Sequence, residues 1–149
     1  MPEQTRQNYN EDPTRLPRPT SSHCSASCID EDFSGRRQSI CIDGRSIGFV
    51  SVFPGSGDDR CRADIGYAVA VEHWGQGIAT RAVKLAVPMV FRDFSEVLRV
   101  QGFANVENKG SQRVMENAGF RKEGLLRNYC YLKGDLQDLV LYSFLSTDF

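Results

Sequence analysis

Two short stretches hold residue types whose spacing could do chemistry. The first is Gly75-Gln76-Gly77-Ile78-Ala79-Thr80, where two glycines precede an amphipathic run. A helix start leaves its first backbone N–H groups without internal partners, and glycine lets a ligand come close to the chain. The helix dipole favours negative charge at that end, so the run reads as a diphosphate cradle or as a tight turn with no ligand. It is not a nucleotide P-loop, because no Lys-Ser or Lys-Thr follows, and the spacing is not that of a dinucleotide-binding fingerprint. The second stretch runs from Asn108 to Phe120 as N-x-x-S-x-x-V-x-E-x-x-G-F, with Asn108 suited to cap a helix and Gly119 to end it. Ser111 lies one turn in, where a hydroxyl can bond its own helix start. His23, Cys24 and Cys28 form too sparse a set for a metal site, and none is expected. His73 and Trp74 are expected to pack, with Trp74 wedged beneath the glycine turn. Arg36-Arg37 reads as a solvated pair.

These stretches need elements to hold them. Apolar β-type runs cover Ile40–Ile42 and Ile47–Phe53, joined by the hairpin signal Asp43-Gly44. Pro54 to Asp59 is a loop. Cys61–Val71 alternates as a strand, with Ile65, Tyr67, Val69 and Val71 on one face and Asp64 on the other. Ile78–Phe94 repeats apolar residues every three or four positions, which predicts a helix kinked near Lys84–Pro88. Val97–Ala104 is a strand and Asn108–Ala118 a shorter helix. Phe120–Leu132 and Leu139–Leu145 are final strands around Lys133-Gly134-Asp135. Cys41, Cys61 and Cys130 fall in strands as small buried or half-buried groups. The order β-β-β-α-β-α-β-β gives a mixed α/β (α+β) sheet, with a parallel crossover at its centre and hairpins at both ends.

Only eight of the first 38 residues are apolar, so 1–38 is expected to be a polar, poorly ordered segment with short elements at most. Residues 39–149 form the domain proper, one unit without repeats. Eighteen basic against nineteen acidic residues leave no field to grip nucleic acid. No apolar run is long enough for a membrane span. The start has no signal-peptide core, and Glu3, Glu11 and Asp12 argue against a transit peptide. Five scattered cysteines fit a reduced, intracellular setting, with the cytoplasm expected first and the nucleus second.

Together the two motifs resemble the acetyl-coenzyme-A site of the GNAT superfamily of N-acetyltransferases. Trp74 to Thr80 is similar to its diphosphate motif Q/R-x-x-G-x-G/A, with Trp74 at the position usually held by Gln or Arg. Ile65-Gly66-Tyr67, Glu123-Gly124, Lys133-Gly134 and Asp138 resemble the branch that acetylates ribosomal-protein N-termini, and its plant relatives. The likeness covers Ile40 to Leu145. It departs at the front, where the superfamily's first strand and two helices are missing or degenerate in 1–38. The common tyrosine of the second helix is absent as well.

The resemblance implies acetyl transfer from acetyl-CoA, as co-substrate, to a primary amine of a protein N-terminus or a small molecule. It implies that Gly75, Gln76, Gly77, Ile78, Ala79 and Thr80 hold the diphosphate. Val69, Ala70 and Val71 would pair with the pantetheine arm like an added strand. Asn108 and Ser111 would complete the coenzyme site, and a strand N–H would stabilise the tetrahedral oxyanion. Asp64 stands where some members place a general base, though a solvated residue or a pair with Arg60 or Arg62 is open; Glu72 is a weaker candidate. Ser111 and Tyr129, or Tyr131, are the proton donors it suggests. A rival reading keeps the coenzyme cleft in a binding or interaction module that has lost acceptor chemistry; residues 1–38 discriminate the two. Monomer and dimer are both compatible.

Overall fold

The computed structural model describes residues 28–30 and 36–149. Among these residues seven strands form one sheet: β1 (Cys28–Asp30), β2 (Arg36–Ile42), β3 (Arg45–Pro54), β4 (Arg62–Val69), β5 (Arg99–Asn105), β6 (Arg121–Leu132) and β7 (Asp135–Leu145). Their spatial order is β1-β2-β3-β4-β5-β7-β6. Every neighbouring pair is antiparallel except β4 and β5, which are joined by the helix α1 (Ile78–Asp93). A second helix, α2 (Lys109–Asn117), links β5 to β6. This is the mixed α/β sheet that the alternating patterns predict. His23, Cys24 and most of the segment expected to be loose lie outside the described residues.

Local chemistry accounts for most boundaries. Asp43 and Gly44 both take positive φ (49° and 76°), the twist that a two-residue hairpin turn requires. β2 starts at Arg36, ahead of the composition break, and Arg37 lays its guanidinium 3.8 Å from the centre of the Phe49 ring. β7 begins at Asp135 rather than Leu139. Two irregularities in β6, at Lys122/Gly124 and Leu126/Cys130, let its partner stay paired to the turn. α1 runs unbroken through Pro88. Pro88 and Lys84, whose carbonyl loses its helical donor, both lie on the exposed side.

Both helices pack on one face of the sheet. Val50 and Val52 of β3 meet Ala86, Met89 and Val90 of α1, and a Cβ on Gly102 of β5 would strike Met115 of α2 and approach Ile65 of β4. Ile65, Val83, Val100, Met115, Val140 and Tyr142, all 0–1% exposed, form the centre of this core. The opposite face carries Phe49, Ser51, Asp64, Gln101, Phe103 and Ser143. No helix of the described residues is long and apolar enough to cross a membrane.

Candidate functional site

Each helix starts where a central parallel strand has just ended, so the N-termini of α1 and α2 lie at the same end of the sheet. At that end the sheet opens. β4 and β5 pair only through Arg62↔Arg99, Ala63↔Val100 and Asp64↔Gln101. Beyond that point β4 stays with β3 as far as Val69, and β5 stays with β7 as far as Asn105. The strands therefore part several residues earlier than Val69–Val71, where the sequence suggests divergence.

The orientation of the freed edge follows from one bond. Ala70 N–H donates to Ile47 O at 2.7 Å, toward β3. Backbone groups alternate along an antiparallel strand, so Asp64, Gly66 and Ala68 also serve β3. Ile65, Tyr67 and Val69 direct theirs toward β5, and past Asp64 no strand is alongside. Tyr67 N–H and C=O and Val69 N–H thus line the gap. Val69 C=O accepts from the Trp74 indole Nε1–H at 2.7 Å. Of the three residues expected to pair with the pantetheine arm, Val69 presents its N–H, while Ala70 is committed to β3. Val71 is in a 3₁₀ turn (Val71–His73) and is exposed.

The glycine turn has the geometry of an open cradle. Gly75 and Gly77 take φ of 75° and 72°, conformations that side-chain-bearing residues reach only with strain, and nothing lies within 4 Å of a Cβ at either. Gly77 caps α1 without a side-chain bond. The first helical bond runs from Arg81 N–H to Gly77 O at 3.1 Å, leaving the N–H groups of Ile78, Ala79 and Thr80 directed out of the helix end. Gln76 is exposed beside them. Trp74 does not wedge beneath this turn. It is 58% exposed, because its N–H is drawn to the end of β4.

Across the gap, exposed Asn108 accepts at Oδ1 from Ser111 N–H at 3.0 Å, a helix cap. Tyr67 reaches over from β4. Its hydroxyl lies 2.7 Å from Ser111 Oγ and donates to Ser111 O at 3.0 Å. Burial pushes the Tyr67 hydroxyl up to about 12, against a smaller opposing effect of the Ser111 bond.

Asp64 is on the other face, at the fork of the gap. It is buried, not solvated, and its oxygen accepts from Gln101 Nε2 at 2.8 Å. Burial raises its carboxyl above the usual range, while the Gln101 bond and, more weakly, Arg62 and Arg99 act the other way. Arg60 pairs instead with Glu96 and Arg62 with Asp59. Gln101 accepts in turn from Arg99 Nε at 3.0 Å, and Arg99 grips both oxygens of Glu123 at 2.7 Å. Tyr129 stacks on Phe103 with centroids 5.5 Å apart. It borders an open cleft with Leu125, Arg127, Asn128 and Asp138. Tyr131 is 72% exposed at the hairpin and Glu72 is exposed in the 3₁₀ turn. The gap therefore brings Val69, Gly75–Thr80, Asn108 and Ser111 to one end of the helix-covered face, with Asp64 at its fork on the far face and Tyr129 on β6. Cys61 precedes β4 and is exposed, contrary to the expected half-buried strand position, whereas Cys41 and Cys130 are half-buried. No cluster of three metal-ligating side chains occurs among the described residues.

Sequence reasoning passed over Tyr67 and Gln101 as site residues. Tyr67 was visible as one apolar position in an alternating strand and as part of the Ile65-Gly66-Tyr67 run, with no role attached to it, and Gln101 gave no signal.

A parallel pair that splays between two helix N-termini, with a glycine cradle on one, defines an acyl-coenzyme-A-binding N-acyltransferase architecture. The profile of the family described as "Acetyltransferase (GNAT) domain" matches residues 4–121, and the chain belongs to this family. The putative ribosomal N-acetyltransferase YdaF of Bacillus subtilis is 35% identical over 117 residues, 78% of this chain and 63% of YdaF. The probable N-acetyltransferase YjcK of the same organism is 37% identical over 71% of this chain and 58% of its own length. The structure of Mycobacterium smegmatis RimJ in complex with CoA-disulfide superposes with a TM-score of 0.68 at 31% identity, covering 75% of this chain and 53% of that one. The chain thus spans less than two thirds of the length of these relatives.

Proposed function

We propose that the protein transfers an acetyl group from acetyl-CoA to a primary amine by direct attack on the thioester, within an N-acetyltransferase domain at residues 39–149. The end of the β4–β5 pairing at Asp64↔Gln101, between two helix N-termini, carries this reading. Gly75, Gln76, Gly77, Ile78, Ala79 and Thr80 hold the diphosphate, whose charge suits unpaired N–H groups. The arm follows the β4 edge from Val69, with Ala70 and Val71 shaping its entry, and Asn108 and Ser111 bound it from α2. A cytoplasmic setting fits this chemistry, and among the described residues Cys41, Cys61 and Cys130 are joined in no disulfide.

The amine attacks as its neutral form, the C–N bond forms, and the C–S bond breaks with its electron pair on sulfur. Asp64 takes the ammonium proton through water, and its burial makes it a better base than a solvated carboxylate. Ser111 faces the departing thiolate, with Tyr129 the alternative donor. An α-amine near ~7.7–8 reaches its neutral form at roughly 3.4 kcal/mol less cost than a lysine near ~10.4, so the site favours an N-terminal amine. The name of YdaF points the same way.

Release of free thiol from acetyl-CoA, measured against small amines and peptides with either the α-amine or the lysine blocked, tests this. Turnover only with a free α-amine is the expected result. Preference for lysine overturns the acceptor assignment. Coenzyme binding without turnover of any amine supports a binding module instead.

A further inference from the structure

Tyr67 has one hydroxyl proton and two acceptors within reach, both on the same residue. Ser111 O lies at 3.0 Å and Ser111 Oγ at 2.7 Å. Two arrangements are open to this pair. In one, Tyr67 donates to the Ser111 carbonyl and the Ser111 hydroxyl donates back to Tyr67. In the other, Tyr67 donates to Ser111 Oγ, and the serine proton is released toward the gap. The serine barely moves between them, because Asn108 holds its N–H at 3.0 Å and α2 holds its carbonyl. The exchange therefore needs only rotation of two hydroxyls.

We propose that Tyr67 is a positioning residue that directs the Ser111 proton into the gap, where it hydrogen-bonds the coenzyme A thiolate as the C–S bond breaks. This rests on the acetyl-transfer reading and adds to it a role for Tyr67 that the Ile65-Gly66-Tyr67 resemblance does not supply. No proton leaves either hydroxyl: the amine proton goes to Asp64 through water, and the thiolate takes one from solvent on release. The high affinity of buried Tyr67 for its proton keeps it a donor across the working range.

The test titrates the thiol of bound coenzyme A by its ultraviolet thiolate absorbance, alongside steady-state kinetics with acetyl-CoA. In the unchanged protein the bound thiol titrates below its free value of ~8.5. Tyr67→Phe raises that midpoint by about one pH unit and lowers kcat about tenfold, with KM for acetyl-CoA changed less than about twofold. Ser111→Ala does the same, and the double variant goes no further. A thiol midpoint in Tyr67→Phe equal to that of the unchanged protein, or losses that multiply in the double variant, overturns the proposal. If Tyr67→Phe does not fold, an unchanged midpoint in Ser111→Ala overturns it as well. A lowered thiol midpoint without turnover of any amine leaves Tyr67 in this role and sinks acetyl transfer. Turnover with an unshifted thiol does the reverse, and absence of coenzyme A binding sinks both.

Discussion

Asp64 and Gln101 form the last pair that the two central parallel strands share, and Gln101 Nε2 donates to Asp64 Oδ1 at 2.8 Å across it. A carboxyl is thereby fixed at the fork of the gap, buried yet hydrogen-bonded. Its proton is held more tightly in the folded chain than in the unfolded one, whose ordinary value is 3.8. The stability it contributes is present below that value and is lost as pH rises through its raised folded value. Asp64→Asn should therefore raise the melting temperature at neutral pH relative to the unchanged protein and give no such advantage in strong acid. Its kcat should fall about a hundredfold if Asp64 is the base. Melting curves at both pH values and an acetyl-transfer assay check the two halves separately.

Glu123 has the opposite sign. The bidentate Arg99 bond and the Ser143 hydroxyl at 2.5 Å hold its carboxyl down to about 2, below the ordinary 4.5. This stability is present above 4.5 and is lost as pH falls through about 2. Glu123→Gln should cost about 1 kcal/mol in urea unfolding at neutral pH, a partly exposed pair being screened by solvent. The difference should shrink steadily in acid.

Gly77 must adopt a φ of 72° at the start of α1, with open space where a side chain would go. Gly77→Val strains that conformation by about 1–2 kcal/mol and places methyl groups over the cradle. Coenzyme A affinity measured by calorimetry should drop at least about tenfold while the circular dichroism spectrum is kept.

Trp74 is the single tryptophan of the chain, and its indole N–H sits on Val69 O. A ligand laid along the β4 edge changes the surroundings of that carbonyl. Coenzyme A should therefore shift the intrinsic tryptophan emission in a saturable way, giving a dissociation constant equal to the calorimetric one. A titration with no spectral change would place the ligand elsewhere.

Ile65 is fully buried between β3, β5 and α2. Ile65→Ala should lose about 2–5 kcal/mol in chemical denaturation, the cost of lost burial plus the remaining cavity.

The sequence by itself determined what neighbouring residues can decide. Asp43-Gly44 makes its turn because only a few residue types tolerate positive φ. Gly75 and Gly77 open the start of α1 for the same reason, and Asn108 caps α2 because its side chain reaches Ser111 N–H three residues on. The order of strands and helices follows from apolar periods of two and 3.6. Only the tertiary structure decided where β4 and β5 part, because register is a contest between distant partners: β4 keeps β3 and β5 keeps β7. The same holds for the side chains that the gap collects. Tyr67 meets Ser111 from 44 residues away, Asp64 meets Gln101 from 37, and Arg99 meets Glu123 from 24. No local rule links such pairs, so their hydrogen bonds exist only once the sheet and α2 have packed.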